Sequence, residues 1–321
     1  MSDTSRRAPG DVEGGATSLD IAAALAAELA AESLAASTRR AYAASRRTWE
    51  TWCAAAGLES WPAVPATVGT WIAALVAEGR AIVTIERHLS ALTDAHRRHT
   101  WPLLQDEPEI RAVLRGARRR VGRERTPKAA LTLAELDLLL AGLDEDLAGV
   151  RNRALLLVGF GAALRRSELV ALDVRDVTVE GEGLRLRIRG SKMDQEREGV
   201  TLGIPRGMRG RCAATAVQRW LELADYDEGP LFRAVNRWGT IAEGRMSDRA
   251  VARLVQTLAE RAGLDPTRFA GHSLRSGFAT AAGRAGASER SIARQTRHRS
   301  LATLRRYIHE GEAFIAVPRL L

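Results

Sequence analysis

Apolar positions recur with the helical period over much of the chain. A first helix is predicted from a cap at Ser37 or Thr38 to about residue 55, and a second opens at Thr67 and ends at Gly79. A third covers about 83–98, where Ile85, Leu89 and Leu92 fall at i, i+4 and i+7, and a fourth covers about 107–118. Thr132-Leu133-Ala134-Glu135 is a capping box that starts a new helical series: to about 143, then 146–161 and 166–172. There the period changes from 3.6 to 2. Leu184, Leu186 and Ile188 alternate with Arg185, Arg187 and Arg189, the pattern of a half-buried strand. Residues 190–195 turn it and 200–204 return as its hairpin partner, while the remainder reads helical at about 213–223, 248–262, 273–285, 288–296 and 302–308. The fold class is mainly α with a small antiparallel β-sheet.

The same patterning divides the chain. The first 17 residues are polar and glycine-bearing without a hydrophobic period, and Ile21, Leu25 and Leu29 then suggest one helical stripe, so 1–36 is an N-terminal tail with a short alanine-rich helix. Residues 37–120 form a helical domain, 121–131 a basic linker, and 132–321 a second domain. Five of the seven tryptophans (Trp49, Trp52, Trp61, Trp71 and Trp101) fall in the helical domain, where a small bundle needs bulky side chains for its core.

Composition narrows the function. The 321 residues hold 48 Lys and Arg against 39 Asp and Glu, a net charge of +9, and only Lys128 and Lys192 are lysine, leaving 46 arginines. The longest apolar run, 154–164, spans 11 residues where a bilayer needs about 20. No basic n-region leads into the alanine-rich stretch, so neither export nor membrane insertion is expected. Two cysteines, Cys53 and Cys212, cannot build a disulfide framework or a zinc knuckle, and a cytoplasmic setting follows. Between positions 111 and 128 stand Arg111, Arg115, Arg118, Arg119, Arg120, Arg123, Arg125 and Lys128 with a single acid, Glu124. Helix ends there near Arg125, ahead of Pro127. So many like charges repel one another unless an anion passes nearby, and nucleic acid fits that demand.

Phosphate loops, dinucleotide fingerprints, metal-ligand clusters and nucleophile elbows are absent. What remains is basic and hydroxyl chemistry in the second domain. His272 and Arg275 share a helix face. Arg165, bracketed by apolar residues, needs a partner such as Glu168. Lys192 sits at a hairpin tip, and Tyr307 lies nine residues after His298. Each taken singly has an ordinary structural explanation. Together they suit phosphoryl transfer: two arginines neutralise a phosphodiester in its pentavalent transition state, histidines add hydrogen bonds, a lysine protonates the leaving oxygen and a tyrosine attacks phosphorus.

Four segments carry a resemblance: Ala163-Leu164-Arg165-Arg166-Ser167-Glu168-Leu169, the hairpin from Arg189 to Gln195, Gly271-His272-Ser273-Leu274-Arg275-Ser276-Gly277, and the stretch from Gln295 to Tyr307. In order and spacing these resemble the tyrosine recombinase (phage integrase) family over about residues 37–315. The resemblance implies a helical core-binding (SAM-like) domain and an integrase-type catalytic domain that clamp double-stranded DNA. By resemblance Arg165 and Arg275 hold the phosphate, Glu168 supports Arg165, Lys192 is the general acid, His272 and His298 assist, and Tyr307 is the nucleophile. It further implies site-specific strand exchange by a tetramer on two DNA sites, without metal, ATP or another cofactor. A type IB topoisomerase shares the chemistry, and a non-catalytic DNA-binding protein is the alternative from another class. Two positions depart from the family pattern: Ala163 and Arg297 stand where glycine is frequent.

Overall fold

The computed structural model describes residues 22, 25, 34–122, 128–189, 199–208, 210–297 and 305. The chain divides into two compact units, 1–125 and 126–321. The tail expectation for 1–36 and the helix expected at 302–308 lie almost wholly outside the described residues.

In the first unit, α1 (Ala36–Ala55), α2 (Pro65–Ala77), α3 (Ile82–Arg98) and α4 (Pro108–Val121) enclose one core. Trp49 and Trp71 are fully buried with ring centroids 5.1 Å apart, and Ile72, Ile85, Leu92 and Ile110 fill the space around them. Trp52 and Trp61 pack half-buried at its edge. Two helix starts differ from the sequence reading. α1 begins at Ala36 with no side-chain cap, instead of on the Ser37 or Thr38 hydroxyl. α2 begins at Pro65 instead of Thr67, because a proline at the first helical position has the required φ and lacks only an N–H that would have no helical partner anyway. α4 ends at Val121, short of Arg125, where Gly122 takes φ +70°.

In the second unit, α5 (Leu133–Ala141) opens on the expected capping box: Thr132 accepts from the Glu135 amide at 3.2 Å and its own amide donates back to Glu135 at 2.8 Å. α6 (Leu147–Gly161) is apolar on nearly every side and runs through the core, packing on α8 (Ala213–Ala224) and α10 (His272–Arg284). α7 (Arg166–Ala171), α9 (Asp248–Arg261) and α11 (Glu289–Thr296) complete the helices. The sheet orders β1 (Val177–Val179), β2 (Gly183–Ile188) and β3 (Val200–Pro205) antiparallel, with Leu184 opposite Ile204 and Leu186 opposite Leu202. These apolar positions face the core while Arg185 and Arg187 face solvent, as the alternation required. Between the helices predicted at 213–223 and 248–262, where the sequence reading assigns no element, the chain forms a hairpin of β4 (Arg233–Val235) and β5 (Ile241–Arg245). Its turn is organised by Asn236, whose side-chain oxygen accepts from the Trp238 and Thr240 amides.

Candidate active site

The site is built where α6 stops. Ala163 takes φ +48°, the left-handed conformation that glycine adopts freely and other residues hold at a cost of about 1 kcal/mol. This tight turn delivers Arg165 to the N-cap of α7. Glu168, in the first turn, has a side chain only 5% exposed. It accepts from the Arg165 amide at 2.9 Å and from Arg165 Nη1 at 2.6 Å.

α10 brings the second arginine. Its first residue is His272, and Arg275 lies one turn inside, 1% exposed, with Nη1 donating to the Ala163 carbonyl at 2.8 Å. Close approach of backbone makes this possible: a Cβ on Gly277 would meet the Leu131 carbonyl oxygen at 2.1 Å. The Leu131 amide in turn donates to the Ser273 carbonyl at 3.0 Å. His272 stands at the rim as an exposed residue. Partial desolvation of the ring, then the positive charges of Arg275, Arg165 and Arg166, lower its pKa below the ordinary imidazole value and favour the neutral form.

A third arginine enters that was not assigned to the site from sequence. Arg297 caps α11 at φ +53°, and its side chain, 10% exposed, reaches back to donate from Nη2 to Glu168 Oε2 at 2.7 Å. Nη1 also donates to the carbonyls of Gln295 at 2.8 Å and Ala162 at 3.3 Å. Ala163 and Arg297 thus both occupy left-handed backbone, which gives a physical reason for glycine to be frequent at both positions. Burial would raise the Glu168 pKa. The charge of Arg297, followed by the hydrogen bonds and charge of Arg165, outweighs it and holds the carboxyl below the usual carboxylate range.

Two guanidinium groups, Arg165 and Arg297, therefore hold one carboxylate, and a third, Arg275, is held to the adjoining Ala163 carbonyl. A cluster with that excess of positive charge is ready to receive an anion. Beside it, Arg166, Ser247, Arg249 and Arg253 line an open cleft of about 370 Å³. The sequence offered only the arginine spacing on α9 as a signal for that cleft. Among the described residues, no group of three or more His, Cys, Asp or Glu could hold a metal ion, and no helix is long and apolar enough to cross a membrane.

Of the other site residues read from sequence, Lys192, His298 and Tyr307 lie outside the described residues. Arg189, which directly follows β2 and precedes Lys192 in sequence, pairs with Asp173 and donates to Asp176 at 3.0 Å. In the first unit Arg111, Arg115, Arg118, Arg119 and Arg120 are exposed along α4, with Arg118 paired to Glu86 at 2.8 Å. Arg123 and Arg125 fall outside the described residues.

The phage integrase family model matches residues 129–313. An integrase/recombinase xerD homolog of Selenomonas ruminantium is 35% identical over 288 residues, covering 88% of this chain and 84% of its own. Recombinase cre of Escherichia phage P1 is 27% identical over 261 residues, covering 75% of each chain. A lambda integrase dimer bound to a COC′ core site superimposes with a TM-score of 0.60 at 18% identity, over 90% of this chain and 93% of that one, a likeness of fold. The arrangement around Glu168 is thus found in a chain that belongs to the phage integrase family, the tyrosine recombinases.

Proposed function

We propose that this tyrosine recombinase cleaves and rejoins double-stranded DNA at specific sites through a 3′-phosphotyrosyl intermediate and a Holliday junction. The observation that carries the reading is the guanidinium cluster at the turn after α6, with Arg165 and Arg297 on buried Glu168 and Arg275 on the Ala163 carbonyl. Arg165 and Arg275 take the non-bridging oxygens of the scissile phosphate and neutralise the charge that grows at phosphorus. Glu168 orients Arg165. The Tyr307 oxygen attacks phosphorus, the 5′-bridging bond breaks, and Lys192 gives the departing 5′-oxygen its proton. His272 and His298 hydrogen-bond around the phosphate. The 5′-hydroxyl of a partner strand then displaces tyrosine, so one phosphodiester replaces another and neither ATP nor another cofactor enters the balance. Arg111, Arg115, Arg118, Arg119, Arg120, Arg123 and Arg125 supply backbone contacts to the duplex. The active assembly is a tetramer on two sites, working in the cytoplasm.

Footprinting on flanking genomic DNA, followed by incubation with that site on two separate duplexes, tests this reading. Exchange of strands between the two duplexes is the expected result. Relaxation of supercoiled DNA without exchange would point to a type IB topoisomerase activity, and occupancy without cleavage to a DNA-binding protein.

A further inference from the structure

We propose that Arg297 is a positioning residue for strand cleavage, fastening the chain that leads into His298 and Tyr307 to the turn that carries Arg165. The inference rests on the recombinase reading above and concerns a side chain which that reading leaves unused.

Three observations support it. Arg297 directly precedes His298 and stands ten residues before Tyr307, so its placement fixes where the stretch bearing both begins. Its guanidinium is tied at several points: Glu168 Oε2 at 2.7 Å and the carbonyls of Gln295, Ala162 and Ala163 at 2.8, 3.3 and 3.4 Å. The neighbouring Gln295 adds a second strap, donating from Nε2 to the Gly161 carbonyl at 2.9 Å and to the Gly203 carbonyl at 3.1 Å.

The division of labour on Glu168 is what gives Arg297 its role. The Arg165 guanidinium takes Oε1 at 2.6 Å, while Oε2 accepts from the Arg297 guanidinium and from the Arg165 amide. One carboxylate therefore sets the phosphate-facing arginine and the entrance to the nucleophile segment against each other. The Ala163 carbonyl repeats the arrangement, accepting from both Arg275 and Arg297. A planar fork can satisfy a carboxylate and nearby carbonyls together, which a lysine ammonium cannot do in the same geometry. The contacts of Arg297 among the described residues are with Glu168 and backbone carbonyls, and the proposed action on cleavage runs through them.

Arg297→Gly is the informative variant, because glycine accepts a φ of +53° without strain and the fold keeps its turn. Arg297→Lys keeps the positive charge beside Glu168 and serves if the glycine variant melts early. Each is compared with wild type for affinity on the footprinted site and for single-turnover adduct formation on a nicked suicide duplex. We expect affinity within about threefold of wild type and cleavage slowed by roughly 10- to 100-fold for the glycine variant, since small misplacement of reacting groups costs rates of that order. The lysine variant should fall between. Cleavage at the wild-type rate in the glycine variant, or affinity and cleavage falling in equal measure, would overturn the positioning role. Absence of adduct from the wild-type protein would instead sink the recombinase reading, and the positioning role with it.

Discussion

Arginine is used in two different ways in the two units. Along α4, Arg111, Arg115, Arg119 and Arg120 stand exposed while Ile110, Leu114 and Ala117 bury the opposite face. In the site of the second unit, Arg275 is 1% exposed, and the side chains of Arg297 and Arg165, which pair with Glu168, are 10% and 28% exposed. Exposed charges attract an anion over about one Debye length and are weakened by salt. Buried charges held by hydrogen bonds act at one geometry and are screened far less. On the proposed function, the first set supplies affinity for any duplex and the second stabilises one transition state.

The sharpest way to break that contrast is to remove one of the hydrogen-bonded charges of the second set. Arg165→Ala should slow cleavage by about 10²- to 10³-fold with DNA affinity little changed, the usual consequence of deleting one preorganised donor. Arg275→Ala should do the same in binding-normalised cleavage assays. Equal losses of binding and cleavage would show that both arginine sets serve affinity alone.

Glu168→Gln comes next in size, and it is read in stability. Breaking a buried ion pair from one side costs about 3 kcal/mol, measured by denaturant unfolding at pH 7. The sign of the pH dependence follows from the lowered pKa of Glu168. Between its folded value and the unfolded value of about 4.3, the unfolded chain binds more protons, so the stabilisation is present above that window and lost as pH falls through it. The glutamine variant should therefore lose less stability than wild type on acidification.

The smallest effect belongs to α4. Replacing Arg115, Arg119 and Arg120 with glutamine should flatten the dependence of log K on log salt, by up to about 0.9 for each phosphate no longer neutralised. Specific and random DNA should weaken alike, with cleavage of bound DNA intact. An unchanged slope would reduce this face to a solvated one.

Legibility in the sequence followed the same division. Elements with a strong period were readable: α3 through Ile85, Leu89 and Leu92, α5 through its capping box, and β2 through its leucine–arginine alternation. The β4–β5 hairpin was not, because Arg233–Val235 and Ile241–Arg245 are too short to show a period, and their turn depends on one asparagine side chain. Helix starts were misplaced where they depend on backbone, as at Pro65, instead of on a capping side chain. In the site, Arg165, Glu168 and Arg275 could be proposed from local motifs. Arg297 could only be noted as a departure from glycine, since its partner Glu168 is 129 positions away and nothing local announces a long-range ion pair.

The central claim is that the arginine cluster serves an attack by Tyr307 on a DNA phosphate. The most direct measurement is to trap the adduct on a nicked suicide duplex, digest it, and identify the nucleotide-bearing peptide by mass spectrometry, in wild type and in Tyr307→Phe. The account predicts a single adduct on the peptide containing Tyr307, absent from the phenylalanine variant while that variant still binds the site. An adduct that persists in the phenylalanine variant, or that maps to Tyr226 or Tyr42, would contradict it.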